Sequence, residues 1–201
     1  LSKLTIGVSG IDNFQKLPIP FYCIATDIQT GEQVVLDKGN LAQAIAASSA
    51  LPTLFQPVKL ENKLLMDGGI TNNFPIEGLL TKNLDYIIGV DVQDDLFQHE
   101  DLNSASNIML QINNFRALEN LKEKSRLSDI YIKPDVTDFS IISFNESEQI
   151  IEEGQKEALR FLDKLSSIAN AQEFKKISLE LPNYNEINIK NIYFLKIAFL
   201  I

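Results

Sequence analysis

Hydrophobic and polar positions change period several times along the chain, and each change marks an element. "IPFYCIATD" (19–27) is an apolar run rich in aromatic and β-branched residues, opened by Pro18 and Pro20; it has the pattern of a buried strand. "DIQTGEQVVL" passes through a turn at Thr30-Gly31 into a second strand, so the two read as a hairpin. "GNLAQAIAASSALP" then takes helical spacing. Asn40 stands where it can cap, Leu41, Ala44, Ile45 and Ser48 share a face, and Pro52 ends the helix. "VKLENKLLMD" predicts two short strands around a Glu61-Asn62 turn, and Pro75 opens a helix in "PIEGLL".

"DYIIGVDV" (85–92) is a continuous apolar stretch of the kind buried inside a parallel sheet. "NSASNIMLQINNFRALENLKEKSRLS" carries Ile108, Ile112, Phe115, Leu118 and Leu121 at helical spacing. "DIYIKPD" predicts a further strand. "ESEQIIEEGQKEALRFLDKL" predicts one helix with Ile150, Gly154, Ala158, Phe161 and Leu165 on one side. Strands alternating with helices imply an α/β domain with a largely parallel sheet, ending near Leu165. "SSIANAQEF" reads as a linker. "KKISLELPNYNEINIKNIYF" alternates apolar and polar residues around a Pro-Asn turn, so residues 166–201 are expected to hold the linker and the start of a small β-containing module. The closing "LKIAFLI" has the texture of a strand.

Composition narrows the function classes. With 45% hydrophobic and 22% charged residues, the 201-residue chain has the balance of a soluble globular protein. Its net charge of −9 argues against a nucleic-acid partner, which needs a cationic face. Cys23 is the sole cysteine, so no internal disulfide can form, and its setting in "FYCIA" reads as a buried thiol. The sequence opens on Leu1, shows no signal-peptide pattern and has no apolar run of membrane-spanning length; an N-terminally truncated chain is expected.

Candidate chemistry centres on "LLMDGGITNNFPI" (64–76). Functional groups in open α/β sheets gather at the carboxyl ends of strands, and Asp67 stands at such an end. Gly68 and Gly69 permit a tight turn and a close approach of another group to the carboxylate. Asn72 and Asn73 can hold the loop through side-chain hydrogen bonds to backbone. Taken alone, this stretch is better described as a tight strand-to-helix turn whose Asp accepts bonds from loop amides.

The neighbouring stretches alter that balance. The order "ATDIQTG", "ASSALPTLFQPV", "MDGGITNNFPI" resembles the patatin-like phospholipase family, with residues 19–92 similar to the second half of a patatin domain and a weaker likeness to about Leu165. The resemblance implies a three-layer patatin-like fold and acyl-ester hydrolysis of phospholipid or another acyl lipid by a Ser-Asp dyad, without cofactor or metal. It makes Asp67 the general base, with Gly68 and Gly69 as the motif glycines beside it. A serine hydroxyl needs such a base, and desolvation would raise an Asp toward that task.

The chain departs from the family in lacking Gly-x-Ser-x-Gly. "GVSGI" places Gly7 and Ser9 suitably but has Ile11 where glycine is required, so Ser9 is not assigned as nucleophile. The Gly-Gly-x-Arg oxyanion segment is also missing, and Ser48 and Ser49 match a structural part of the pattern. The chain by itself is therefore expected to supply half an active site and to be inactive. His99 lies in the acidic stretch "DDLFQHEDLN" and reads as a solvated residue. Asp91, Asp94 and Asp95 lack EF-hand spacing. The tail weakly resembles the POTRA-like module that joins some bacterial patatin-like proteins to an outer-membrane barrel. That continuation would bring membrane association and an envelope location; a cytoplasmic one stays open. The competing expectation is a non-catalytic remnant or envelope interaction module.

Overall fold

The computed structural model describes residues 1–93, 95–139 and 143–171, together with a strand at 198–200. These residues form two compact units, one comprising Leu1–Asn73 and the other starting at Phe74. The chain is mixed α/β, as the alternation of periods implied.

The first unit opens with helix α1 (Ser2–Thr5) and two 3-10 turns, Ile6–Val8 and Phe14–Lys16. Strands β1 (Cys23–Asp27) and β2 (Glu32–Leu36) form the expected hairpin, with Gly31 at φ +73° in its turn. Helix α2 (Leu41–Ser48) follows, capped by the Asn40 side chain, whose Oδ1 accepts from Gln43 N at 3.0 Å. Strands β3 (Val58–Leu60) and β4 (Lys63–Asp67) flank the Glu61-Asn62 turn, where Glu61 takes φ +53°. Helix α3 (Gly69–Asn72) begins two residues after the end of β4.

The sheet order is β2-β1-β4-β3, and every pairing is antiparallel. The largely parallel sheet expected from the sequence therefore does not describe this unit. The physical reason is the linkage: two short hairpins supply four strands, and hairpins pair antiparallel. Helix α2 packs on β1 and β4 through its small residues. Ala47 is fully buried with Ala25 and Leu65 in one cluster, while Ala44 joins Phe14 and Leu17 in another. Of the face predicted for this helix only Ala44 is fully buried; Ala42 and Ala47 supply the rest, because residues with so little bulk leave hydrophobic periodicity weak.

The second unit contains α4 (Glu77–Leu80), β5 (Ile87–Val90), α5 (Ala105–Ser125), β6 (Ile130–Ile132), α6 (Ser147–Leu159), α7 (Leu162–Ala171) and β7 (Ala198–Leu200). Its sheet, β6-β5-β7, is parallel throughout, in agreement with the continuous apolar run of β5. Ile88, Ile130, Ile132 and Ile168 form the buried cluster, against which Ala158, Phe161 and Leu165 pack. The single helix expected over 146–165 is thus broken after Leu159, and the expected linker is helical to Ala171, with Ile168 buried. In α5, Leu121 is buried, whereas Ile108, Ile112 and Phe115 are exposed. The alternating segment expected to begin a POTRA-like module falls at 175–194, outside the described residues. No helix among the described residues is long and apolar enough to cross a membrane.

Candidate active site

Asp67 is the last residue of β4, paired in register with Ala25 of β1. Its backbone is tied on two further sides: Asp67 N donates to Ala50 O at 3.1 Å, and Gly68 N donates to Ser48 O at 3.2 Å. The end of α2 and the residues after it therefore fasten the strand end. From β1, Thr26 Oγ1 donates to Asp67 O at 2.8 Å and lies 3.0 Å from Thr71 Oγ1. Thr26 is buried, so its hydroxyl finds both partners inside the protein. Asp67, Gly68 and Thr71 are thereby locked to the sheet before any substrate is considered.

Both glycines have a reason internal to the fold. A Cβ on Gly68 would lie 2.1 Å from Ile24 O and 2.6 Å from Ile24 C, so the backbone of β1 occupies the place of a side chain. A Cβ on Gly69 would lie 2.9 Å from Asp67 Oδ1 and 2.7 Å from Asn73 Oδ1. The space at Gly68 admits the neighbouring strand, and that at Gly69 admits the Asp67 carboxylate itself. The close approach that the two glycines permit is thus taken up, at these two points, by groups of this chain. Asn72, expected to bond loop backbone, donates from Nδ2 to Gln33 Oε1 at 2.8 Å.

The carboxylate is half-buried. Asp67 Oδ1 accepts from Gly69 N at 2.7 Å, an Asx-type bond that fixes the side chain over the start of α3. Burial pushes its pKa above the ordinary value of 3.8, and the Gly69 N–H partly offsets this. Such a group is a stronger proton acceptor than a solvated Asp.

The remaining candidates are placed as follows. Ser9 is exposed and donates to Ile6 O at 2.8 Å, in the manner of a turn residue. Ser49 donates to Ile45 O at 2.8 Å within its own helix turn. Cys23 donates weakly to Ala44 O at 3.5 Å, and burial drives its thiol up to about 11, despite a hydrogen bond with Ser48. His99 is exposed at the start of a 3-10 turn, His99–Asp101. Among the described residues, no group of three His, Cys, Asp or Glu side chains is placed to hold a metal ion.

In the second unit the structure assembles a cluster that sequence reasoning missed. Asp91 follows β5, and Lys133 follows β6, so both stand at carboxyl ends of parallel strands. Asp91 is buried; its Oδ2 accepts from Tyr131 Oη at 2.6 Å and lies 3.7 Å from Lys133 Nζ. Lys133 also donates to Asp95 at 3.2 Å. Burial, then the Asp91 carboxylate, raises the Tyr131 pKa. Asp95, Lys133 and residues 134–137 line an open cleft of about 230 Å³. Asp94, the third acid of this stretch in the sequence, lies outside the described residues. The only signal in the sequence was the strand-end position of Asp91; its partner Tyr131 is 40 residues away.

With this geometry in hand, likeness to known proteins becomes informative. Residues 15–80 match the model of the patatin-like phospholipase family, a span that contains β1–β4 and Asp67. An uncharacterized NTE family protein of Mycobacterium tuberculosis is 26% identical over 183 residues, covering 79% of this chain and 31% of that protein. A second such protein of the same organism is 38% identical over 76 residues, 38% of this chain and 21% of the relative. Lysophospholipase NTE1 of Pyricularia oryzae is 25% identical over 187 residues, 80% of this chain and 12% of its own length. The chain thus spans a third or less of the curated relatives it matches. The likeness is thus to the patatin-like phospholipase family over residues 15–80, the span that holds Asp67, and to NTE family proteins over a longer stretch.

Proposed function

We propose that this chain is part of a lipid acyl hydrolase in which Asp67 is the general base. The observation that carries the reading is the Asp67 carboxylate itself. It stands at a strand end, held on one oxygen by Gly69 N–H, with its pKa raised by burial, inside the family-matched span. The substrate is a phospholipid, lysophospholipid or other acyl ester.

The chemistry needs a second residue. A serine hydroxyl attacks the ester carbonyl carbon while its proton passes to the Asp67 carboxylate. The tetrahedral intermediate collapses, the acyl C–O bond breaks, and the departing alkoxide takes that proton from Asp67. Water then repeats the sequence on the acyl-serine, releasing the fatty acid and restoring the serine. No Gly-x-Ser-x-Gly occurs in the 201 residues. We therefore assign the nucleophile to sequence outside them and expect the chain alone to be inactive.

The same missing motif favours a second reading, a non-catalytic remnant or envelope interaction module. A serine-reactive fluorophosphonate separates the two. Protein extended upstream of Leu1 should label at a serine outside these 201 residues, and the chain alone should stay unlabelled. Labelling of Ser9, Ser48 or Ser49 would overturn the nucleophile assignment. An extended protein that neither labels nor hydrolyses acyl esters would leave the non-catalytic reading standing.

A further inference from the structure

Helix α3 is a single turn of four residues, and such a turn is not stable by itself, because fixing its dihedrals costs more than its few hydrogen bonds return. Within it, Thr71 N and Asn72 N both donate to Gly68 O, at 3.1 and 2.8 Å. Further support comes from the sheet. Asn72 reaches Gln33 of β2 on the exposed side. Thr71 reaches inward, where its Oγ1 lies 3.0 Å from Oγ1 of the buried Thr26 on β1.

The protons of these two hydroxyls can be assigned, since each hydroxyl has a single proton to give and can also accept. Thr26 Oγ1 stands 2.8 Å from Asp67 O, a carbonyl that can only accept, so the Thr26 proton is spent there. The 3.0 Å contact is then made by the Thr71 proton, for which Gly68 O, at 3.3 Å, is the more distant acceptor. The bonds therefore run in one direction, from α3 to β1 to the end of β4. The Asp67 carboxylate is held at the other end of the same turn. Gly69, the first residue of α3, donates its N–H to Oδ1 at 2.7 Å. Oδ2 has no hydrogen-bond partner among the described residues, in a side chain that is half-buried rather than enclosed. A hydrogen bond to an ionised oxygen lowers its basicity, so Oδ2 is the more basic of the two.

We propose that Thr71 is a positioning residue for the Asp67 base: through its hydrogen bond to Thr26 it holds α3 against β1, which keeps Oδ1 on Gly69 N–H and leaves Oδ2 for the nucleophile's proton. The inference deepens the hydrolase reading and rests on it for the reaction. The serine O–H bond breaks as its proton passes to Oδ2, and the departing alkoxide takes that proton back from Oδ2. Thr71 touches neither the substrate nor the transferred proton. Without its hydroxyl the turn loses its buried tie to β1, Gly69 N–H leaves Oδ1, and the carboxylate rotates away from a single orientation.

The test uses protein extended upstream of Leu1. Thr71→Val keeps the branched shape and removes the hydroxyl, whereas Thr71→Ser keeps the hydroxyl. On p-nitrophenyl butyrate, Thr71→Val should lower kcat about tenfold with KM changed less than about twofold, and Thr71→Ser should keep kcat within about threefold of wild type. A second readout needs no turnover: the Asp67 carboxyl carbon is followed by NMR against pH, its signal assigned by its absence from Asp67→Asn. The Gly69 N–H favours the ionised form, so its loss should move the titration midpoint up by about 0.5 pH unit or more in Thr71→Val and not in Thr71→Ser. Thr26→Val cuts the same bond from β1 and should move the midpoint the same way, which decides the proposal if Thr71→Val does not fold. An unmoved midpoint in the valine variants, an undiminished kcat in an active Thr71→Val protein, or a Thr71→Ser protein that behaves like Thr71→Val would overturn it. If wild type and variants all fail to hydrolyse acyl esters, the hydrolase reading fails, while the titration still decides whether Thr71 holds the carboxylate.

Discussion

The carbonyl oxygen of Ile24 lies 2.1 Å from the point where residue 68 would carry a Cβ, so β1 and the turn after Asp67 are in backbone contact. Gly68 has ordinary helical angles, φ −68° and ψ −26°, and needs no special freedom of rotation. What it needs is the absence of a side chain. Gly68→Ala should therefore push β4 away from β1 or prevent folding, at a cost above the ~1–3 kcal/mol typical of overpacking. Urea denaturation followed by circular dichroism measures this; a loss below about 0.5 kcal/mol would mean that the strand end yields.

Tyr131 and Asp91 provide a second test. The Tyr131 hydroxyl donates to a buried carboxylate at 2.6 Å, and Lys133 at 3.7 Å is the nearby cation. Tyr131→Phe removes one donor and leaves Asp91 less well satisfied. A loss of about 1–3 kcal/mol is expected, the usual range for a hydrogen bond to a charged group. Urea midpoints of the two proteins check it.

Much of the first unit was legible from local signals. The Asn40 cap, the hairpin turn at Gly31, the Glu61-Asn62 turn and the strand that ends on Asp67 all follow from residue type and period. The pairing of β1 with β4 did not, because nothing local links strands so far apart in sequence; with β2 on its other edge, β1 has antiparallel neighbours on both sides. Helix α7 escaped because "SSIANA" is polar and short, and it is the packing of Ile168 and Leu165 in the β5–β6 cluster that makes it part of the unit. Asp67 was legible as a candidate from its strand-end position and its two glycines. The purpose of those glycines was not, since Ile24 approaches from more than 40 residues earlier in sequence. The positive φ of Thr53 likewise leaves no mark on residue type.

Cys23 should be inert in the folded protein. Burial raises its thiol to about 11, so the reactive thiolate is scarce at pH 8, and the sulfur sits against α2 and β2 carbonyls. Reaction with a water-soluble disulfide reagent at pH 8 should be at least about tenfold slower than in urea-unfolded protein. Equal rates would place Cys23 in solvent.

The ionisation of Asp67 sets a pH dependence. A general base works only when deprotonated, so kcat/KM for ester hydrolysis should fall as pH drops through the raised pKa. The acid limb then lies above the ordinary Asp value of 3.8. The stability effect has a definite sign. The folded state binds the Asp67 proton more tightly than the unfolded state, so stability declines as pH rises from the unfolded through the folded pKa. Asp67→Asn removes that cost, and its urea midpoint above this window should match or exceed that of wild type. A lower midpoint there would show that the ionised carboxylate contributes net stability through Gly69.

The most direct measurement of the central claim is ester hydrolysis by the upstream-extended protein with Asp67→Asn. Asn keeps the shape of the side chain and an oxygen for Gly69 N–H but cannot take a serine proton. Loss of the base predicts a fall in kcat of about 10²–10⁴-fold with an unchanged circular dichroism spectrum. Full activity of Asp67→Asn would contradict the assignment of Asp67 as the general base.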